Sequence, residues 1–452
     1  MRGLPVTHDE ARDAARSVLA FPGADGVEVV VAGSTTGLTR YASSRIIQNT
    51  SRDELRAYVR VIVGSRVASA GTNQLDAEHM KRAAQRALDA ARSSMRDDAF
   101  PGLADPGVVG RPEPTWRWDE TTAGCSPAAR ADSVGRIFSA IDGLSAAGVY
   151  ETSAHAFGIF TSSGIDCFDG YTRCIATCLA DGGGSTGWGE DSSHALDDVD
   201  VEAVAARAVT KAQPQGEPSS AEPGDYEVIL EPPAAATLIE YLSYMGFGAK
   251  QVIEGDSFLV ECGDQQVAVD GVTIADDVAH PRSVGIAFDF EGVPRRRVAV
   301  IDEGRATRPV TDLRTSKRLG LDLTGHSSGS DEVGPFASNV VLDAGTSSAG
   351  ELIGAVSDGL LVTRFHYVNI LDRPATLLTG MTRDGTFRIR NGEVAEPVHN
   401  LRFAQSVLEA LGAVRGIGRD LHSFAPDYGS FGSTVVPALH IGAFHFGSTT
   451  SH

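Results

Sequence analysis

The sequence predicts an α+β protein, with an N-terminal α/β domain whose largely antiparallel sheet is flanked by helices and a strand-rich C-terminal domain. Three observations predict it. Long segments such as 37–49 and 54–70 alternate apolar with polar residues, as a half-solvated antiparallel sheet requires. Between them lie segments with apolar positions at helical spacing, 75–94 foremost. The 50 glycines fall in clusters such as Gly182-Gly183-Gly184, which suit tight turns between strands.

The elements follow in order. Residues 7–20 have helical periodicity and Val27 to Val31 begins a strand; the alternating segments come next, then the amphipathic helix 75–94. Pro101, Pro106, Pro112 and Pro114 interrupt regularity before a second strong helix at about 126–143, strands near 149–161 and 165–180, and a helix at about 198–212. Residues 214–224, rich in Pro, Gly and Ser, read as a linker between a domain at 1–213 and one at 225–452. Beyond it, 226–230 reads as a strand, 232–247 as a helix, 257–311 as short strands and turns, and about 402–412 as a last helix before strands near 437–441.

Composition excludes several classes. Apolar residues at 42% and charged residues at 22% are those of a folded globular chain, not a disordered or fibrous one. The net charge of −20 argues against nucleic acid, which is held by clustered Lys and Arg. No apolar run reaches the ~18 residues of a transmembrane span, and no signal core follows Met1. Five cysteines in so long a chain are no disulfide framework, so a cytoplasmic protein is expected.

Four stretches, in this order and spacing, carry a resemblance: Val252-Ile253-Glu254-Gly255-Asp256-Ser257-Phe258-Leu259, Thr273-Ile274-Ala275-Asp276-Asp277, Phe288-Asp289-Phe290-Glu291-Gly292-Val293-Pro294-Arg295-Arg296, and 387–398 (FRIRNGEVAEPV). The chain resembles the TldD/PmbA proteins. The resemblance implies a cytosolic zinc peptidase of two related subunits, only one of which bears metal. In that subunit the helix opening the C-terminal domain has His-Glu-x-x-x-His, two imidazoles for zinc and a glutamate to activate water. The corresponding helix here, 233–248, has no histidine; Glu240, Tyr241, Tyr244 and Met245 stand where the motif would. Phenols are poor substitutes for imidazole. This chain therefore resembles the PmbA (TldE) subunit. No metal is expected on it, zinc is expected on its partner, and its catalytic residues are expected to be none.

Several other residues have both a chemical and a plainer reading. His326, in the polar loop 324–330, resembles the family's loop near the substrate path, and His366 and His399 flank a loop and strand that could converge with it; structural or surface roles are the plainer account of all three. His440 and His445, five apart in a strand, should face opposite ways as ordinary structural residues. Cys174 and Cys178 read as buried thiols, and Cys262, at a turn without a histidine neighbour, as no nucleophile. Asp289 and Glu291 would share a strand face as a candidate acid/base pair, but solvated carboxylates or ion pairs with Arg295 to Arg297 are the plainer account. The loop 182–187 lacks the lysine of a phosphate-cradling motif.

The expected function is a non-catalytic subunit that pairs with a zinc-bearing homologue and encloses flexible peptides, which would add along exposed strand edges. Two rivals remain. In one the chain is itself an amide hydrolase, acting on a peptide or peptide-like small metabolite with a divergent metal site built from His326, His366 and His399; in the other it is a homodimeric binding protein.

Overall fold

The computed structural model describes residues 3–115, 117–213, 216–426 and 431–449. Its first sheet has six antiparallel strands in the order Arg66–Thr72, Arg45–Val63, Gly26–Ala42, Ser145–Thr161, Asp166–Asp181, Thr186–Ser193. Helices His8–Arg16 and Ala77–Ser93 cover one end of one face, and Pro127–Ala140 and Val201–Ala212 the other. Their starts are written in the sequence: Thr7 and Glu10 form a capping box, and the Asp76, Ser126 and Asp200 side chains accept from backbone N–H groups of their helices' first turns. The segments read as two strands at 37–49 and 54–70 are parts of three. The chain reverses at Ser43–Ser44, where φ is 49° and 53°, and at Gly64, where φ is 59°. Two successive left-handed residues are what a tight hairpin needs, and serine pairs do not advertise it.

Pro214 and Gln215 of the expected linker lie outside the described residues, but Ser219 is tied to the second half by Ser219 N–H to Pro397 O (2.8 Å) and His399 N–H to Ser219 O (3.0 Å). That half holds two sheets. One runs Arg305–Ala306, Val298–Asp302, Ile274–Asp276, Asn339–Leu342, Ser433–Val436, His422–Phe424. In the other, Asp358–Asp372, Gly224–Leu230, Leu439–Thr449, Leu401–Ser406 and Leu377–Arg390 pair in turn, and Leu377–Arg390 pairs back onto Asp358–Asp372. The five strands thus close into a ring. Phe365, Phe403 and Phe444, from strands that are not all neighbours, meet with centroids 4.6–5.7 Å apart and fill its interior.

Two expectations are corrected here. Residues 402–412 are not one helix: Leu401–Ser406 is a strand with Leu401 and Phe403 inward, and Ser406 then caps a short helix, Val407–Gly412. His440 and His445 do not face opposite ways. A register shift between Ile441 and Phe444 adds one residue, so both lie on the outer face, 2.8 Å from Glu227 and Asp225 respectively.

Candidate functional site

The helix Pro232–Gly246 opens the second half. Pro232 and Pro233 occupy its first turn, where missing N–H groups cost nothing, and its cap residue Glu231 makes no side-chain cap bond. It is buried almost all round, as its nearly continuous apolar sequence demands. Glu240 is 8% exposed and Met245 fully buried. The Tyr241 hydroxyl donates to Val368 O at 2.8 Å; Tyr244 meets the Phe336 ring edge-on at 6.2 Å and lies under the Arg373 guanidinium at 5.0 Å. These four residues join the helix to its surroundings, and with no imidazole and a committed phenol they do not fit a zinc site. Among the described residues, no three His, Cys, Asp or Glu are grouped to hold a metal ion.

The three histidines have separate settings. His326 is sealed from solvent, its Nε2 3.0 Å from Asp276 Oδ1 and its Nδ1 2.9 Å from Thr324 Oγ1. Burial, the largest single influence, pushes the Asp276 carboxyl up, but the charge and hydrogen bond of His326, with Arg295 and the Asn339 N–H, together hold it below its ordinary value. His366 is half-buried against Tyr367, and burial, aided by Arg383 and Arg364, lowers its pKa. His399 is exposed at a cleft shared with Lys211 and Asp384.

Neither Asp289 nor Glu291 lies on a strand; Asp289 is buried and Glu291 half-buried. They sit in a tight turn: Asp289, 0% exposed, accepts from the N–H groups of Glu291, Val293 and Ser327 at 2.8–3.0 Å, and Glu291 accepts from Leu313 N–H at 3.0 Å. A side chain that satisfies its own loop's backbone is drawn inside, where alternation patterns cannot follow it. The arginine triplet does not pair with them; Arg297 reaches Asp277 (3.5 Å) and Asp343 (3.8 Å). Burial, then the Asp289 charge, pushes the Glu291 carboxyl well above 4.5, and burial raises Glu28 on the adjoining strand. For Glu291 the folded-state pKa exceeds the unfolded one. Its contribution is therefore fully present below about pH 4.5 and is lost as pH rises through the folded value. Glu291→Gln, which keeps an acceptor for Leu313, should raise the melting temperature at about pH 8 by more than at about pH 5. Equal shifts at both, followed by thermal denaturation, would contradict this.

The cysteines are all free. Burial pushes the Cys167 and Cys174 thiols up to about 12 and Cys178 to about 11, so none of these is a nucleophile. Cys262 ends a short helix, Leu259–Cys262, rather than a turn. The stretch 182–185 joins two strands, and glycines of the second strand, Thr186–Ser193, serve packing: a Cβ on Gly187 would lie 2.0 Å from Ala208 O, and one on Gly189 1.9 Å from Val204 O. Helix Val201–Ala212 lies directly on that bare stretch of strand.

That close approach builds the feature the sequence did not announce, a groove between the first sheet and the second half. Its smaller lobe, a cavity of ≈ 220 Å³, lies at the start of helix Pro232–Gly246. It has an apolar wall of Ile229, Ile353, Leu361 and Ala438 facing Trp188 and Arg207. Its larger lobe, ≈ 910 Å³, is lined by polar groups including Asp191, Ser192, Arg282 and Ser423, and the lobes share Asp420 and His422. Burial raises the Asp191 pKa; burial and then Arg207 lower that of His422. Widely separated stretches between Trp188 and Ala438 meet here, and no spacing in the sequence signals it.

The profile of the PmbA/TldA metallopeptidase C-terminal domain matches residues 223–448, and that of domain 1 matches 27–91. A metalloprotease of Methanothermobacter thermautotrophicus is 27% identical over 247 residues, 53% of either chain. A zinc metalloprotease TldD homolog of Saccharolobus solfataricus is 23% identical over 241 residues, covering 50% of this chain and 51% of that one. The matched stretch spans about half the length of these curated relatives. TldE from Thermococcus kodakarensis superposes with a TM-score of 0.85 at 20% identity, over 97% of this chain and 99% of that one, which shows a shared fold.

Proposed function

The chain belongs to the PmbA/TldD metallopeptidase family, and from that premise we propose that it is the non-catalytic subunit of a two-subunit zinc peptidase. It pairs in the cytoplasm with a zinc-bearing homologue and helps enclose flexible peptides, which are hydrolysed by water activated on the partner's metal. One observation supports this above others. The helix that would offer zinc ligands is a packed element, with Tyr241 bonded to Val368 O and Glu240 buried. The rival hydrolase, with its metal on His326, His366 and His399, is disfavoured because His326 is sealed against Asp276.

The purified chain alone is expected to carry no stoichiometric zinc and to cleave no unstructured peptide. Co-expressed with a zinc-bearing homologue, it should co-purify and yield a peptidase that neither chain gives alone. One tight zinc per chain, found by metal analysis of the isolated protein, would overturn the reading. Failure to co-purify, with a homodimer in its place, would favour a self-associating binding protein instead.

A further inference from the structure

Three buried hydroxyls that line the groove have no hydrogen-bond partner among the described residues: Thr363 Oγ1 in the smaller lobe, and Ser192 Oγ and Ser423 Oγ in the larger. Their residues are 1%, 5% and 4% exposed. A buried hydroxyl left unmatched is costly, so something that enters the groove must answer these groups.

The smaller lobe specifies what enters it. Its apolar wall suits a branched or aromatic hydrocarbon group. Lys211 and Glu231 are paired with each other at 3.1 Å and neutralise one another. The cationic group left is Arg207, which donates to Glu190 O at 2.9 Å; the start of the helix beginning at Pro232 adds little, because Pro232 and Pro233 bring no N–H groups. Arg207 favours a carboxylate, and Thr363 offers it a hydroxyl. At the opposite sign stand Glu190 and the exposed Asp420, a place for an ammonium. The volume, ≈ 220 Å³, is below the ~300–1,000 Å³ of pockets for drug-sized ligands.

We propose that the smaller lobe binds a compact amphipathic zwitterion, a free α-amino acid with a branched or aromatic side chain. The carboxylate lies by Arg207 and Thr363, the ammonium toward Asp420 and Glu190, and the side chain against Ile229, Ile353, Leu361 and Ala438. Because one wall comes from the first sheet and its helix and the other from the closed ring, the ligand ties the two halves together. This site does not rest on the subunit reading, and it is tested on the isolated full chain.

The test is calorimetric titration with four probes: leucine, glycine, the carboxylate left when leucine loses its amine, and the amine left when it loses its carboxylate. Leucine is expected to bind saturably, glycine not to bind, and each half-molecule to bind more weakly. Arg207→Gln should weaken leucine and the carboxylate by about tenfold or more, since a charged hydrogen bond is lost, and leave the amine unchanged. Thr363→Val, nearly isosteric, should weaken leucine a few-fold. Ala438→Leu, which fills the lobe, should abolish binding; an unchanged melting transition without ligand would show that the fold survives. No saturable leucine binding up to about 10 mM, where only affinities weaker than about −3 kcal/mol escape detection, would mean that water alone fills the lobe, and would overturn the proposal. Leucine binding undisturbed by Arg207→Gln and Ala438→Leu would overturn it too, by placing the ligand elsewhere.

Discussion

Asp289→Ala is expected to destabilise the protein by about 3 kcal/mol or more, because it strands three backbone N–H groups, two buried and one half-buried, at roughly 1–3 kcal/mol each. Those of Glu291 and Val293 lie on one carboxylate oxygen and that of Ser327 on the other. The turn they hold presents Phe288 and Phe290 to the first sheet, where Phe290 meets Phe157 edge-on at 5.0 Å and Phe431 at 5.6 Å. Slackening the turn therefore loosens the contact between the halves as well as the turn itself. Asp289→Asn should fall between wild type and alanine, since its amide keeps one acceptor but turns a donor toward the Ser327 or the Glu291 and Val293 N–H groups. Urea unfolding checks the series; a midpoint for Asp289→Ala within error of wild type would show that the turn is held by other means.

Gly189→Ala should cost about 1–3 kcal/mol, with loss of ligand binding in the groove, although only a methyl group is added. The added carbon would sit 1.9 Å from Val204 O, where contacts below 3.0 Å are essentially never seen. Backbone cannot rotate out of the way, so helix Val201–Ala212 must lift and take Arg207 and Lys211 with it. Gly135→Ala supplies the contrast. It lies in helix Pro127–Ala140 with nothing within 4 Å of the new carbon, and should stabilise by roughly 0.5–1 kcal/mol through helix propensity alone. Thermal melts of the two variants should shift in opposite directions; equal shifts would refute the close-packing account of Gly189.

What was legible in the sequence was local and periodic. Helix 75–94 appears as Ala77–Ser93 because Asp76 caps it and its buried positions, Met80, Ala83, Ala84, Ala87, Leu88 and Ala91, follow one helical stripe. Helix 232–247 appears as Pro232–Gly246 for its prolines and apolar run. Cys174 and Cys178 lie in a strand and are buried, as their Tyr, Thr and Ile neighbours suggest. Illegible was whatever depended on distant partners. Asp289 and Glu291 look like surface carboxylates until the loop containing Ser327 is brought over them. His440 and His445 keep one face only because a bulge inserts a residue between them. The groove draws on residues from Trp188 to Ala438 and has no motif at all.

The ring of five strands has neither a first strand nor a last. Around the ring an incoming backbone finds no open ladder to knit onto, and among the described residues the free edges of that sheet belong to the short strands Glu393–Pro397 and Val414–Ile417 that pair onto it. Whatever is grasped beside the ring itself must be held through side chains, and selection there will follow the chemical identity of residues rather than the extended shape of a chain.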